Sequence, residues 1–422
     1  MEISKQINHS NPLDGINFYS FKTGVRKFVS FKGSIFGGKV FYNKNKLIPE
    51  ILVEMLDKGT TKRNKFEIAN ILENVGGKIN FTPGKYRVFI SGQCLTKDIS
   101  LILELISEQL IEPLINEQDL ESVKKINIAE LNHLKDDTRT RGMEKFLSCL
   151  YPENHPNRPF GIEKEINEIK NINSGELLKF HKENYGLGNL DFCFVGDLDH
   201  NNVDKEISKL FKSWQTSPLN KNLVNSNLNA KVYSNKSDIV FIPDKTSADL
   251  IIGHGIGIDN NHEDYYNITM GHFILGGNFS ARLMSTIREK EGLTYGIQSS
   301  ISGADNDNDG YWNIWGTFSP SDIEKAKKLI LEQLELWSQK GVSKQELEVK
   351  KTTINGMYKV SFDRTTGIIS RIMDTIYNNK PLSFIDEYPS IINNLQLNDI
   401  NEAIKKYYTK EKCITIVSGS VK

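Results

Sequence analysis

The chain repeats itself, and that fixes its architecture before any single motif is read. LESVKKINIAELNHLKDDTRT at 120–140 returns as LEVKKTTINGMYKVSFDRTT at 347–366, setting Lys124-Lys125 on Lys350-Lys351 at an offset of 226. FHKENYGLGNLDFCFVGDL at 180–198 returns as KKYYTKEKCITIVSGSV at 405–421, with Tyr185 on Tyr408 and Gly196 on Gly419 at an offset of 223. Two separated matches at nearly one offset indicate a tandem domain, so the 422 residues are expected to form two like units, each able to bury its own core. The stretch SPLNKNLVNSNLNAK has five asparagines and no periodicity. It divides the chain into an N-terminal domain at 1–216, a linker at 217–231 and a C-terminal domain at 232–422.

Both halves alternate strands and helices. Residues 25–36 and 86–95 are rich in β-branched and aromatic side chains and are bounded by glycine or proline, as strands are. Residues 65–75, 100–111 and 326–337 repeat apolar side chains at three and four, as helices do. Each half closes on a helix followed by a terminal strand, at 190–196 or 414–419. The expected class is α+β: two tandem α/β sandwiches, each with helices packed on one face of a mainly antiparallel sheet.

Lys plus Arg and Asp plus Glu both number 53, so no net charge draws the chain to nucleic acid or to a membrane surface. Cys94, Cys149, Cys193 and Cys413 are dispersed, which excludes a CxxC zinc site and a disulfide scaffold. The start, MEISKQINHSNPLDG, has no secretory apolar stretch, and no window approaches ~18 unbroken apolar residues. The expectation is a soluble, cytoplasmic chain with no membrane span.

Chemistry-bearing residues concentrate in two segments. Gly276 to Tyr295 reads GGNFSARLMSTIREKEGLTY, a glycine turn opening a helix. Asn278 and Ser280 are expected to cap that helix, and Arg282 and Leu283 to seat it. Arg288 and Tyr295, seven positions apart, are expected on one face of it. A forked guanidinium and a phenol suit an amide carbonyl becoming an oxyanion. The competing reading pairs Arg288 with Glu291 and buries Tyr295. The second segment, Met55 to Thr60, reads MLDKGT after a short apolar run.

Together these segments resemble the pitrilysin and insulinase family of zinc metallopeptidases, which includes the mitochondrial processing peptidase. The pattern L-G-G-x-x-S-x-R-L-x-x-x-I-R-E-K-x-G-L-T-Y is complete from Leu275 to Tyr295, and MLDKGT matches the flank that follows the family's H-x-x-E-H zinc motif. Read back from Met55, the two histidine positions hold Glu50 and Glu54, and the catalytic glutamate position holds Val53. Val53 accepts no proton, so hydrolysis by the family's mechanism is excluded at this site. The family's third ligand falls on Glu130, which is retained. Glu50, Glu54 and Glu130 form either a three-carboxylate site for a hard cation or a degenerate pocket relieved by a lysine such as Lys58. The eight histidines are isolated; His254 and His262 are separated by the end of a strand. The loop SGADNDNDG at 302–310 faintly suggests a calcium loop but is expected to be a solvated hairpin tip.

The resemblance implies a zinc-less subunit of a heterodimeric metallopeptidase, with no metal of its own and no catalytic residue. A homologous partner would carry H-x-x-E-H and zinc, and Arg288 and Tyr295 would bind the peptide substrate. The short Gly276-Gly277 turn differs from the long glycine-rich loop of the silent processing-peptidase subunit. The alternative is a peptidase-derived structural or peptide-binding protein.

Overall fold

The computed structural model describes residues 2–41, 45–219, 230 and 236–421. Most of the expected 217–231 linker, at 220–229 and 231, lies outside the described residues. The chain divides into two compact units. One comprises Met1–Glu130, Glu163–Asn225 and Lys359–Glu387; the other comprises Leu131–Ile162, Ser226–Tyr358 and Tyr388–Lys422. These units are not contiguous stretches meeting at the linker, because each takes in a segment from the other half of the sequence.

The first unit holds strands β1 (Ile7–Leu13), β2 (Ile16–Lys22), β3 (Phe28–Phe36), β4 (Lys78–Pro83), β5 (Arg87–Leu95) and β6 (Leu190–Gly196). They form one sheet in the order β1-β2-β6-β3-β5-β4, antiparallel except for β2 beside β6. Helices α1 (Ile48–Met55), α2 (Lys65–Val75), α3 (Ile99–Ile111) and α4 (Glu117–Leu134) lie between β3 and β6 in sequence, α4 running on into the second unit. Helix α5 (Thr138–Leu150) belongs to the second unit; α6 (Ile162–Asn171), α7 (Ser174–Asn184) and α8 (His200–Phe211) follow.

In the second unit, β7 (Lys236–Phe241), β8 (Ala248–Gly255), β9 (Ile297–Ser302), β10 (Tyr311–Phe318) and β11 (Ile414–Gly419) form a sheet in the order β7-β11-β8-β10-β9. Its one parallel pair is β7 beside β11, as β2 beside β6 is the one parallel pair of the first sheet. Helices α9 (Tyr265–Gly276), α10 (Ile323–Lys340) and α11 (Lys344–Val360) come before α12 (Thr365–Tyr377), α13 (Phe384–Asn394) and α14 (Leu397–Tyr407).

Helices cover both faces of each sheet, not one face as the sequence suggested. Along β6, period-2 alternation sends Phe192 and Phe194 one way and Cys193 and Val195 the other. Phe192 meets Phe211 of α8. Cys193 and Val195 meet Ile368, Ile369, Ile372 and Met373 of α12, a helix from the far half of the sequence. The second sheet repeats this, with Phe146 and Leu150 of α5 on Ile251, Ile414 and Ile416. Each buried aliphatic is worth about 1.5–3 kcal/mol, so four of them on α12 contribute on the order of 6–12 kcal/mol before entropy is charged. That is comparable to the net stability of a domain, so α12 is integral to the first unit.

One threonine fastens each of these helices. Thr365 Oγ1 at the start of α12 lies 2.8 Å from Ser30 Oγ of β3, both buried. Thr138 Oγ1 at the start of α5 donates to the carboxylate of Asp249 on β8, which also accepts from Trp315 Nε1 at 2.8 Å and Thr317 Oγ1 at 2.6 Å.

The loop at 302–310 is not a solvated tip: Asn308, Asp309 and Gly310 are buried. Asp305 Oδ1 accepts from the backbone N–H groups of Asp307 and Asn308, closing the loop on itself. Asn157 Nδ2 donates to the Gly303 carbonyl, and the Asp309 carboxylate accepts from the N–H of Ala230. His155, fully buried, stacks on Tyr151 beside it.

Candidate functional site

The first candidate place lies in the first unit, on α1. Six of its eight residues are buried: Ile48, Pro49, Ile51, Leu52, Val53 and Met55. Only Glu50 and Glu54 reach solvent in part. They stand four apart, on one face, where two like charges repel. Lys39 Nζ comes within 3.4 Å of Glu50 Oε1. Asn127 Nδ2, on α4, donates to Glu54 Oε2 at 2.8 Å. Burial pushes the Glu54 carboxyl above its ordinary range; the Asn127 amide and Lys58 pull it back, and Glu130 pushes it up again. Lys58 itself pairs with Asp57 at 2.8 Å.

The MLDKGT flank persists for a structural reason. Met55 and Leu56 are fully buried. Gly59 takes φ 131°, and the buried Thr60 accepts the N–H groups of Lys62 and Arg63 on its hydroxyl. The flank thus builds the turn into α2, whose Asn64 and Glu67 form a capping box. These demands hold whatever occupies positions 50, 53 and 54.

The donor set does not suit zinc. Carboxylates stand where imidazoles would be, the Asn127 N–H donor is turned toward one of them, and Val53 offers neither a lone pair nor a base. Among the described residues no three His, Cys, Asp or Glu side chains gather where they could hold a metal ion, so Glu50, Glu54 and Glu130 are not brought together as a cation site. His254 is buried in β8, where Nε2 accepts from Trp312 Nε1 at 2.9 Å, while His262 lies beyond the strand end.

The second candidate place is in the second unit. At the end of α9, close packing requires Gly276, where a Cβ would meet the Ser299 backbone nitrogen at 2.5 Å. Asn278 and Ser280 do not cap the following helix. Both accept from Lys350 Nζ of α11, at 2.7 and 2.8 Å, an ammonium only 3 % exposed. Burial lowers the Lys350 pKa, against the pull of Glu346. Arg282 forks onto Glu346, Nε to Oε1 at 2.6 Å and Nη2 to Oε2 at 2.7 Å, and Nη2 also reaches the Gly341 carbonyl. Leu283 is fully buried.

The helix that follows is a π-helical stretch, Met284–Lys290. Such stretches are rare and concentrate at functional sites. Gly292, at φ 64°, ends it, so Tyr295 stands on a loop and not on a continuing helical face. Thr294 pins that loop by donating from Oγ1 to the Thr317 carbonyl at 2.6 Å. Arg288 and Tyr295 nevertheless meet: the guanidinium lies over the Tyr295 ring at 5.0 Å and over the Phe279 ring at 5.1 Å. Both rings are exposed, Tyr295 at 88 % and Phe279 at 71 %. Glu291 is engaged by Lys325 at 2.9 Å, and among the described residues no carboxylate pairs with Arg288.

Sequence reasoning missed Phe279 and Asn127. A bulky aromatic between Asn and Ser in a glycine turn was the available signal for the first. The second carried none, because an asparagine one turn from Glu130 looks like ordinary helix surface.

The fold defines a peptidase-type α/β protein. Residues 45–160 match the family model described as Insulinase (Peptidase family M16), and residues 171–354 match the one described as Peptidase M16 inactive domain. The chain belongs to the insulinase, or M16, peptidase family. It is 21% identical over 375 residues to an uncharacterized zinc protease, YmxG, of Bacillus subtilis, covering 88% of each chain. It is 24% identical over 376 residues to the non-peptidase homolog YmxG of Helicobacter pylori, covering 88% of this chain and 84% of that one. Among solved structures, a peptidase M16 inactive domain from Pseudomonas fluorescens superposes with TM-score 0.88 at 20% identity, over 99% of this chain and 98% of that one. A protease from Helicobacter pylori gives 0.84 at 16%, over 97% and 98%.

Proposed function

We propose that this catalytically inactive M16 protein is the zinc-less subunit of a heterodimeric metallopeptidase, built from two tandem homologous domains. Arg288 and Tyr295 hold the peptide carbonyl in a mixed complex whose other subunit carries H-x-x-E-H and its zinc. One observation carries this reading: a guanidinium with no carboxylate partner among the described residues, set over exposed rings on a pinned turn, in a chain whose zinc-motif positions read Glu50, Val53 and Glu54. An arginine kept only for structure would be paired like Arg282. The shared strand order and the single parallel pair in each sheet support the duplication.

The second reading, a peptidase-derived peptide-binding or structural protein, is favoured by the non-peptidase name of the Helicobacter relative. Co-expression with an M16 chain bearing H-x-x-E-H separates the two. The first reading expects peptide cleavage that a chelator abolishes and Arg288→Ala removes, with assembly unchanged. Metal-dependent cleavage by this chain alone overturns it; assembly without activity, or activity indifferent to Arg288→Ala, supports the second.

A further inference from the structure

Phe279 is an anomaly. It is a large apolar side chain, 71 % exposed, on a turn whose two flanking side chains, Asn278 and Ser280, are both tied to one buried ammonium. Scattered exposed aromatics need no explanation, but a rigidly held one does. Burying Lys350 is costly, and its direct hydrogen-bond acceptors here are a neutral amide and a neutral hydroxyl. Gly277 adds to the rigidity, since a Cβ there would meet the Phe273 Cα at 2.7 Å. The turn is thus built to hold residue 279 outward, and its ring is where the Arg288 guanidinium comes to lie.

Resting on the reading above, we infer that Phe279 is a positioning and specificity residue for the carbonyl-binding arginine. Its ring orients the Arg288 fork without a carboxylate that would neutralise it. Phe279 and Tyr295 also form an apolar rim that favours peptides with an aromatic or branched aliphatic side chain next to the gripped carbonyl. A cation over an exposed ring is attracted with an energy equivalent to about a 2- to 5-fold effect. The guanidinium keeps its five N–H donors while its charge is held by the ring.

The test is made on the mixed complex, with kcat and KM for two peptides differing in Leu or Gly beside the scissile bond, and peptide binding titrated in parallel. Phe279→Ala and Phe279→Leu are each expected to lower kcat/KM by about 2- to 5-fold, and Phe279→Trp to restore it. The Leu-over-Gly preference should shrink in Phe279→Ala alone, with thermal unfolding unchanged throughout. If Arg288→Ala is inactive but Phe279→Ala matches the wild type, the inference fails and the functional reading stands. If Phe279→Leu matches the wild type while Phe279→Ala does not, ring and cation are not coupled, and the positioning role fails. If Arg288→Ala is itself without effect, both fall.

Discussion

Thr365 and Ser30, 335 positions apart in the chain, stand hydroxyl to hydroxyl at 2.8 Å, and Thr138 takes the same role toward Asp249. The two threonines are not energetically equal. Thr138 bonds a buried carboxylate, and charge-assisted bonds are roughly twice as strong as neutral ones. Thr138→Val should therefore cost about 2 kcal/mol and Thr365→Val about 1 kcal/mol. Urea unfolding of the two single variants measures the difference; equal losses would contradict the assignment.

Replacing Arg288 with lysine keeps the charge but not the fork. In the mixed complex, Arg288→Lys should lower kcat/KM by about 10- to 100-fold, less than the roughly 100- to 1,000-fold loss on removing an oxyanion donor outright, because one donor and the charge remain. Stability should stay within about 0.5 kcal/mol, as for other surface changes. Peptide-cleavage kinetics beside a melting curve separate the two effects.

Two buried histidines make the protein acid-sensitive. Burial holds His254 down to about 4 and His272 to about 3, from an ordinary 6.5. Below pH 6.5 the unfolded chain binds these protons and the folded chain does not. Their contribution is therefore complete above pH 6.5 and is lost progressively as pH falls toward 4 and 3, at up to about 1.4 kcal/mol per pH unit for each group. Urea midpoints measured from pH 7 to pH 4 should fall, and His272→Phe should reduce the slope by up to one proton.

Restoring the family's motif gives a gain-of-function test. Glu50→His with Val53→Glu and Glu54→His should create a site that binds zinc or cobalt with one-to-one stoichiometry by absorption titration. Val53 is only 1 % exposed, so a glutamate there should destabilise the metal-free protein by about 3 kcal/mol. Cobalt binding by the unsubstituted chain with the same spectrum would refute the assignment of these positions.

Local signals were legible in the sequence. The strand at 190–196 and the helix at 65–75 reappear as β6 and α2 because apolar spacing and a capping box decide them within a few residues. The MLDKGT flank, from which Glu50, Val53 and Glu54 are counted back, is fixed by the turn it builds. What could not be read was partnership at a distance. Nothing in TTGIISRIMDTIY says which sheet its apolar face will cover, and period 3.6 gives a face without an address. Asp309 looked solvated because Ala230, whose N–H it binds, lies 79 positions away. Tyr295 was put on a helical face because Gly292 reads as an ordinary glycine until its left-handed backbone is seen.

The origin of α12 bears on how the protein is made. The first sheet is complete in sequence once Gly196 has left the ribosome, but the helix that covers Phe21, Cys193 and Val195 begins only at Thr365. At ordinary synthesis rates of about 5–20 residues per second, that apolar face waits roughly ten to thirty seconds for its cover. The first unit cannot finish folding until α12 has been made, however early its strands emerge. A stall or truncation anywhere between the two points releases a nascent chain with an open, sticky sheet.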